Sequence, residues 1–116
     1  MDNRRKHTRF TAAVAAEVDT GDQVLEGETR DISVGGVSVL VDEPVPEGVV
    51  IGVSLILTED GIESAEEDPL HMRAHVMWAA PTDSGACLLG LRFSRLAPED
   101  LLRLQRFLAA ISETTR

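Results

Sequence analysis

The stretch DISVGGVSVLV, residues 31–41, decides how this chain is read. Its second half is β-branched and alternating: Val37, Val39 and Val41 fall on one face, Ser38 and Leu40 on the other, the period-two signature of a strand with one buried side. Its first half, Asp31-Ile32-Ser33-Val34-Gly35-Gly36, is a DxSxxG pattern at the end of a preceding strand. Asp31 and Ser33 are two apart, so on an extended strand they share a face. Gly35 and Gly36 permit positive φ and a close approach of the backbone to a ligand. The competing reading of the same six residues is a turn with a side-chain cap.

Strand patterns extend on both sides. Phe10, Ala12, Val14, Ala16 and Val18 alternate, and Thr20-Gly21-Asp22 is a turn signal. Val24 to Ile32 reads as a polar-rich strand with Gly27 at a bulge. Pro44 to Gly48 is a turn, and Val49 to Leu57 a strand by its Val and Ile content. Thr58 to Pro69 follows as a loop with six acids, a solvated segment or a partner contact, without a calcium-loop pattern. Leu70 to Ala80 alternates again, Met72, Ala74, Val76 and Trp78 against His71, Arg73, His75 and Met77. Ala86 to Phe93 is the last strand. The period then changes: Leu101, Leu104, Leu108 and Ile111 recur at helical spacing, with Leu102 and Phe107 flanking, Pro98 in the first turn, and Glu99 and Asp100 at the positive end of the helix dipole. Six antiparallel strands and one helix over 97–113 make a mainly β domain, a small barrel or sandwich covered by a helix.

Size and composition fit one domain. The chain has 116 residues, 43% of them hydrophobic, with one Trp and no Tyr. Cys87 has no partner for an intramolecular disulfide and reads as a small buried residue. No signal peptide or membrane span is visible, so a cytoplasmic location is expected. The net charge is −9, yet residues 1–10 hold four Lys/Arg against one acid, and the other 106 hold seven against nineteen. The acidic body argues against nucleic acid, which needs a broad basic surface. A local basic cluster fits a small anion.

That cluster is RRKHTRF, residues 4–10, in which Arg5 and Arg9 form an RxxxR pair extended by Arg4. Guanidinium forks match phosphate oxygens and stack on aromatic bases, and arginine can read the O6/N7 edge of guanine. The alternative for this segment is a solvated basic tail. The carboxylate of Asp31 can accept from guanine N1–H and N2–H₂, and the Ser33 hydroxyl can serve a base or a phosphate. His71 and His75 flank Arg73 without further ligands at metal spacing, and no constellation supports catalysis.

RxxxR, a strand and then DxSxxG resemble the PilZ family, whose bacterial members bind cyclic di-GMP. The strand ending in Val76-Met77-Trp78, the closing Gly90-Leu91-Arg92-Phe93 and the C-terminal helix extend the likeness over essentially the whole chain. The resemblance implies a six-stranded antiparallel split barrel over 10–94 with a C-terminal α-helix, and a flexible ligand-binding arm over 1–9. It implies that Arg5 and Arg9 grip phosphates and guanine faces, that Asp31 and Ser33 bond a guanine, and that Gly35 and Gly36 let the backbone come close. An arginine at position 4 looks like the version that accepts two intercalated cyclic di-GMP molecules. Trp78 is expected beside the ligand or, alternatively, at the core or barrel end. The protein implied is not an enzyme. It needs no cofactor or metal, does not act at a membrane, and passes the signal to an unidentified effector protein. The alternative is a PilZ-like interaction module that works without ligand.

Overall fold

The alternating patterns form strands, and the strands close on themselves. The computed structural model describes residues 10–56, 58–59, 62–63 and 69–114. The elements are β1 (Phe10–Thr11), β2 (Ala15–Asp19), β3 (Val24–Ile32), β4 (Gly36–Val41), β5 (Val50–Leu55), β6 (Thr58–Glu59), β7 (Ile62–Glu63), β8 (Leu70–Pro81), β9 (Cys87–Phe93) and α1 (Pro98–Thr114). Neighbours run β3-β2-β5-β8-β9-β4, and β4 pairs back to β3, all antiparallel. The result is a closed six-stranded barrel, which leaves its main strands without open edges.

Side chains pointing inward make the core. Val18, Leu25, Val39, Val53, Val76 and Leu89 come from the six different strands, and all are buried. The first expected strand, Phe10 to Val18, is split. β1 and β2 both pair with β3, and between them the buried hydroxyl of Thr29 donates to the Ala12 carbonyl and accepts the Val14 N–H at 2.9 Å. A side chain thus replaces ladder bonds at the break, which leaves no buried polar atom orphaned there.

The helix covers the barrel through Leu104, Phe107 and Leu108, all buried, and it runs beside β1 and β6. Phe107 belongs to the buried stripe rather than its flank, while Leu102 is exposed. Within the segment expected to be an acidic loop, β6 and β7 pair as a short hairpin, Glu59 opposite Ile62. The intervening Asp60-Gly61 is a two-residue hairpin signal that the count of acids obscured.

Candidate functional site

Two β-bulges build the outer face of the barrel beside the DxSxxG turn. The first lies in β3 between Thr29 and Asp31, so Gly27, the expected position, is not bulged: it pairs in register with Ala16 and Val41. The extra residue, Arg30, lets Asp31 rather than Arg30 stand opposite Ser38, and the Asp31 N–H donates to Ser38 Oγ at 3.2 Å. The second bulge lies in β8 between Val76 and Trp78. Simple alternation would put Trp78 inside with Met72, Ala74 and Val76. The extra residue, Met77, reverses the parity, and Trp78 is instead 41% exposed. Bulges re-aim side chains in this way and are enriched next to binding sites.

The two bulges bring four residues into one outward row across four strands: Asp31 on β3, Ser38 on β4, Gly90 on β9 and Trp78 on β8. Three interstrand steps of about 4.8 Å make a path of roughly 14 Å around the barrel surface from Asp31 to Trp78. Gly90 sets the height of the indole. A Cβ on Gly90 would lie 2.1 Å from Trp78 Nε1 and Cε2, so the ring rests directly on the bare backbone.

The turn itself is organised by Ser33. β3 ends at Ile32, so Ser33 does not continue the strand face of Asp31: it is buried, while Asp31 is half-buried. Its hydroxyl accepts the N–H groups of Gly35 at 3.1 Å and Gly36 at 3.2 Å, and its own N–H donates to the Gly36 carbonyl at 2.8 Å. Gly36 is tight for a reason within the protein. A Cβ there would stand 2.2 Å from the Leu91 carbonyl oxygen of β9. Positive φ occurs at Gly21, Gly48 and Gly85, so Gly36 serves close strand approach and not a left-handed turn.

Arg4, Arg5 and Arg9 lie outside the described residues. The chain that follows them does not. Phe10, next after Arg9, is paired with Ile32, and Thr11 with Asp31. The RxxxR segment therefore joins the barrel at the DxSxxG motif. Sequence reasoning passed over Ser38, which faces outward yet is buried, and Gly90, whose only signal was its place in the closing Gly90–Phe93 strand. Elsewhere, His71 Nδ1 lies 2.6 Å from Ser54 Oγ, and Cys87 is buried.

The family model of the PilZ domain matches residues 3–110. The chain belongs to the PilZ domain family. No curated protein sequence matches it. Among solved structures, this PilZ fold is similar to YcgR in complex with c-di-GMP from Escherichia coli, at 20% identity and a TM-score of 0.77, covering 97% of this chain and 48% of that one. It is similar to the inhibitor of motility MotI/DgrA of Bacillus subtilis, at 18% identity and a TM-score of 0.76, covering 98% and 52%. Against the PilZ domain of E. coli YcgR with c-di-GMP the values are 19% and 0.71, covering 97% and 95%. The chain thus spans about half the length of the first two and nearly all of the third. None of the described helices is long and apolar enough to cross a membrane.

Proposed function

We propose that this PilZ domain is a cytoplasmic receptor for cyclic di-GMP. The observation that carries the reading is the pairing of Phe10 with Ile32 and Thr11 with Asp31, which delivers a cluster of four basic residues to the one conspicuous carboxylate of an outward row ending in an exposed indole. A ligand with two phosphates and two guanines suits that assembly. Arg5 and Arg9 take phosphates and stack on bases, the Asp31 carboxylate accepts from a guanine N1–H and N2–H₂, and Trp78 offers a stacking face. Ser33, Gly35 and Gly36 contribute by holding the turn beside Asp31. The solved complexes of YcgR and of Klebsiella MrkH with c-di-GMP support the ligand class.

The signal in this proposal is a change of order. Ligand bridges arm and barrel, the arm folds over the outer row, and an effector protein reads the new surface, one established form of switch. Isothermal calorimetry with cyclic di-GMP tests the receptor. Wild type binds with two ligands per chain, the second held through Arg4; a stoichiometry of one removes that role alone. No heat and no change in Trp78 emission would return the domain to a ligand-independent interaction module. Hydrogen exchange tests the switch: residues 1–9 gain protection on binding, and equal protection with and without ligand would eliminate it.

A further inference from the structure

Four of the six barrel strands carry no acid. β4, β5, β8 and β9 contain no Asp or Glu, in a chain with 20 of them. On this wall Gly36, Arg92 and His75 form a second register row beside the Asp31–Trp78 row. Arg92 is exposed and stands directly opposite Gly36, whose missing side chain lets β4 close against the β9 backbone at that point. Arg73, two residues from His75, has a different setting. It lines a cleft with Arg95 and Asp100, where a carboxylate is at hand. Arg92 has none on its own strand or on either neighbour.

We propose that Arg92 is a phosphate ligand supplied by the barrel itself, so that the nucleotide site runs from the turn across β9 to Trp78 instead of ending at the turn. This rests on the cyclic di-GMP reading and extends it. A guanidinium fork needs a planar pair of acceptor oxygens, and a phosphodiester held at the DxSxxG turn presents them beside the exposed Arg92. The same placement puts a base attached to that phosphate within reach of the indole in the adjacent row. The arm then contributes phosphate contacts that form on binding, whereas Arg92 contributes one that is in place beforehand, which lowers the ordering cost of the complex.

The test is calorimetric titration of cyclic di-GMP into the full chain and three variants, with Trp78 emission followed in parallel. Arg92→Gln loses about 10- to 100-fold in affinity, the range for one charge-assisted hydrogen-bonding group. Its binding also depends less steeply on salt. Arg92→Lys, which keeps the charge and loses the fork, falls between. Arg106→Gln, an equal charge change on the exposed side of α1, binds as wild type does. Wild-type affinity in Arg92→Gln overturns the inference and leaves the receptor standing. Equal losses in Arg92→Gln and Arg106→Gln overturn it too, since bulk charge then explains the effect. If wild type itself does not bind, the receptor fails and Arg92 with it. Near-UV circular dichroism establishes that each variant is folded, and Arg92→Lys carries the comparison if the glutamine disturbs β9.

Discussion

The two sides of this barrel are alike inside and opposite outside. β2 and β3 bury Val18 and Leu25 much as β4 and β9 bury Val39 and Leu89. Outward, β2 and β3 carry Glu17, Asp19, Glu26, Glu28 and Asp31, while β4, β5, β8 and β9 carry no acid. Inward packing closes the barrel and is indifferent to this division. The division matters to an approaching anion, which is repelled by one wall and received by the other, with Asp31 the carboxylate at the DxSxxG end of the seam between β3 and β4. An uneven field of this kind steers a charged ligand and suppresses docking on the wrong side.

The largest expected effect separates what the receiving wall needs for folding from what it needs for binding. In Gly36→Ala the new Cβ meets the Leu91 carbonyl oxygen at 2.2 Å, a backbone atom that cannot swing aside. β4 and β9 must part, at a cost of about 1–3 kcal/mol, near the upper end of that range. Gly52→Ala on β5 meets Asp19 Cβ at 3.5 Å and the Asp19 carbonyl oxygen at 4.0 Å, ordinary contacts, and should stay within about 0.5 kcal/mol of wild type. Urea unfolding of the two variants measures the contrast. Equal stabilities would mean that Gly36 is kept for the ligand and not for the strand.

At the seam, binding replaces stability as the measure. If cyclic di-GMP binds as proposed, Asp31→Ala removes a charged acceptor for guanine and weakens binding by about 10- to 100-fold. Glu28→Gln, one outward position back along β3, should leave affinity unchanged or slightly raised. Titration calorimetry of both decides whether the seam is the site. A loss at Glu28 as large as at Asp31 would spread recognition over the acidic wall and dissolve the distinction.

Much of this was legible in the sequence because period two and period 3.6 are physical necessities of strands and helices. The alternations around Val39, Val53 and Ala74 gave the barrel strands, and the leucine spacing gave α1 to within a residue at each end. The motif residues were legible as a family resemblance, and the PilZ domain model matches residues 3–110. What alternation could not reveal is where it breaks. Met77 and Arg30 look like any other strand residues, and only the pairing partners across the sheet show that each is an inserted residue. The side of the barrel on which Trp78 stands, and hence its availability to a ligand, depends on that one insertion. Ser33 illustrates a different limit: an i, i+2 argument holds only while the strand continues, and β3 stops one residue earlier.

A smaller effect probes the far end of the receiving wall. Gly90→Ala places a Cβ 2.1 Å from the indole, but here the obstacle is a partly exposed side chain that can lift away. The stability cost should be about 1 kcal/mol, the low end for overpacking. Trp78 is the sole tryptophan and there is no tyrosine, so emission reports its position without interference. Emission should shift to longer wavelength as the ring moves into water, and quenching by cyclic di-GMP should diminish. Unchanged emission would show that the ring does not depend on Gly90 for its seat.

The smallest effect belongs to the acidic wall. Glu17 stands directly opposite Glu26, both exposed, and like charges in that position destabilise a strand pair. Glu17→Gln keeps the shape and removes the repulsion, so the barrel should gain roughly 0.2–1 kcal/mol at low ionic strength. Near 1 M salt, where the screening length falls to about 3 Å, the gain should vanish. The double variant with Glu26→Gln should add little to either single change, because the repulsion needs both charges and is already gone after the first. Denaturant melts at two salt concentrations measure all three. A gain that persisted in high salt would have to come from packing or solvation of the amide, and the acidic wall would then lose its claim to a stability cost borne for the sake of the field it produces.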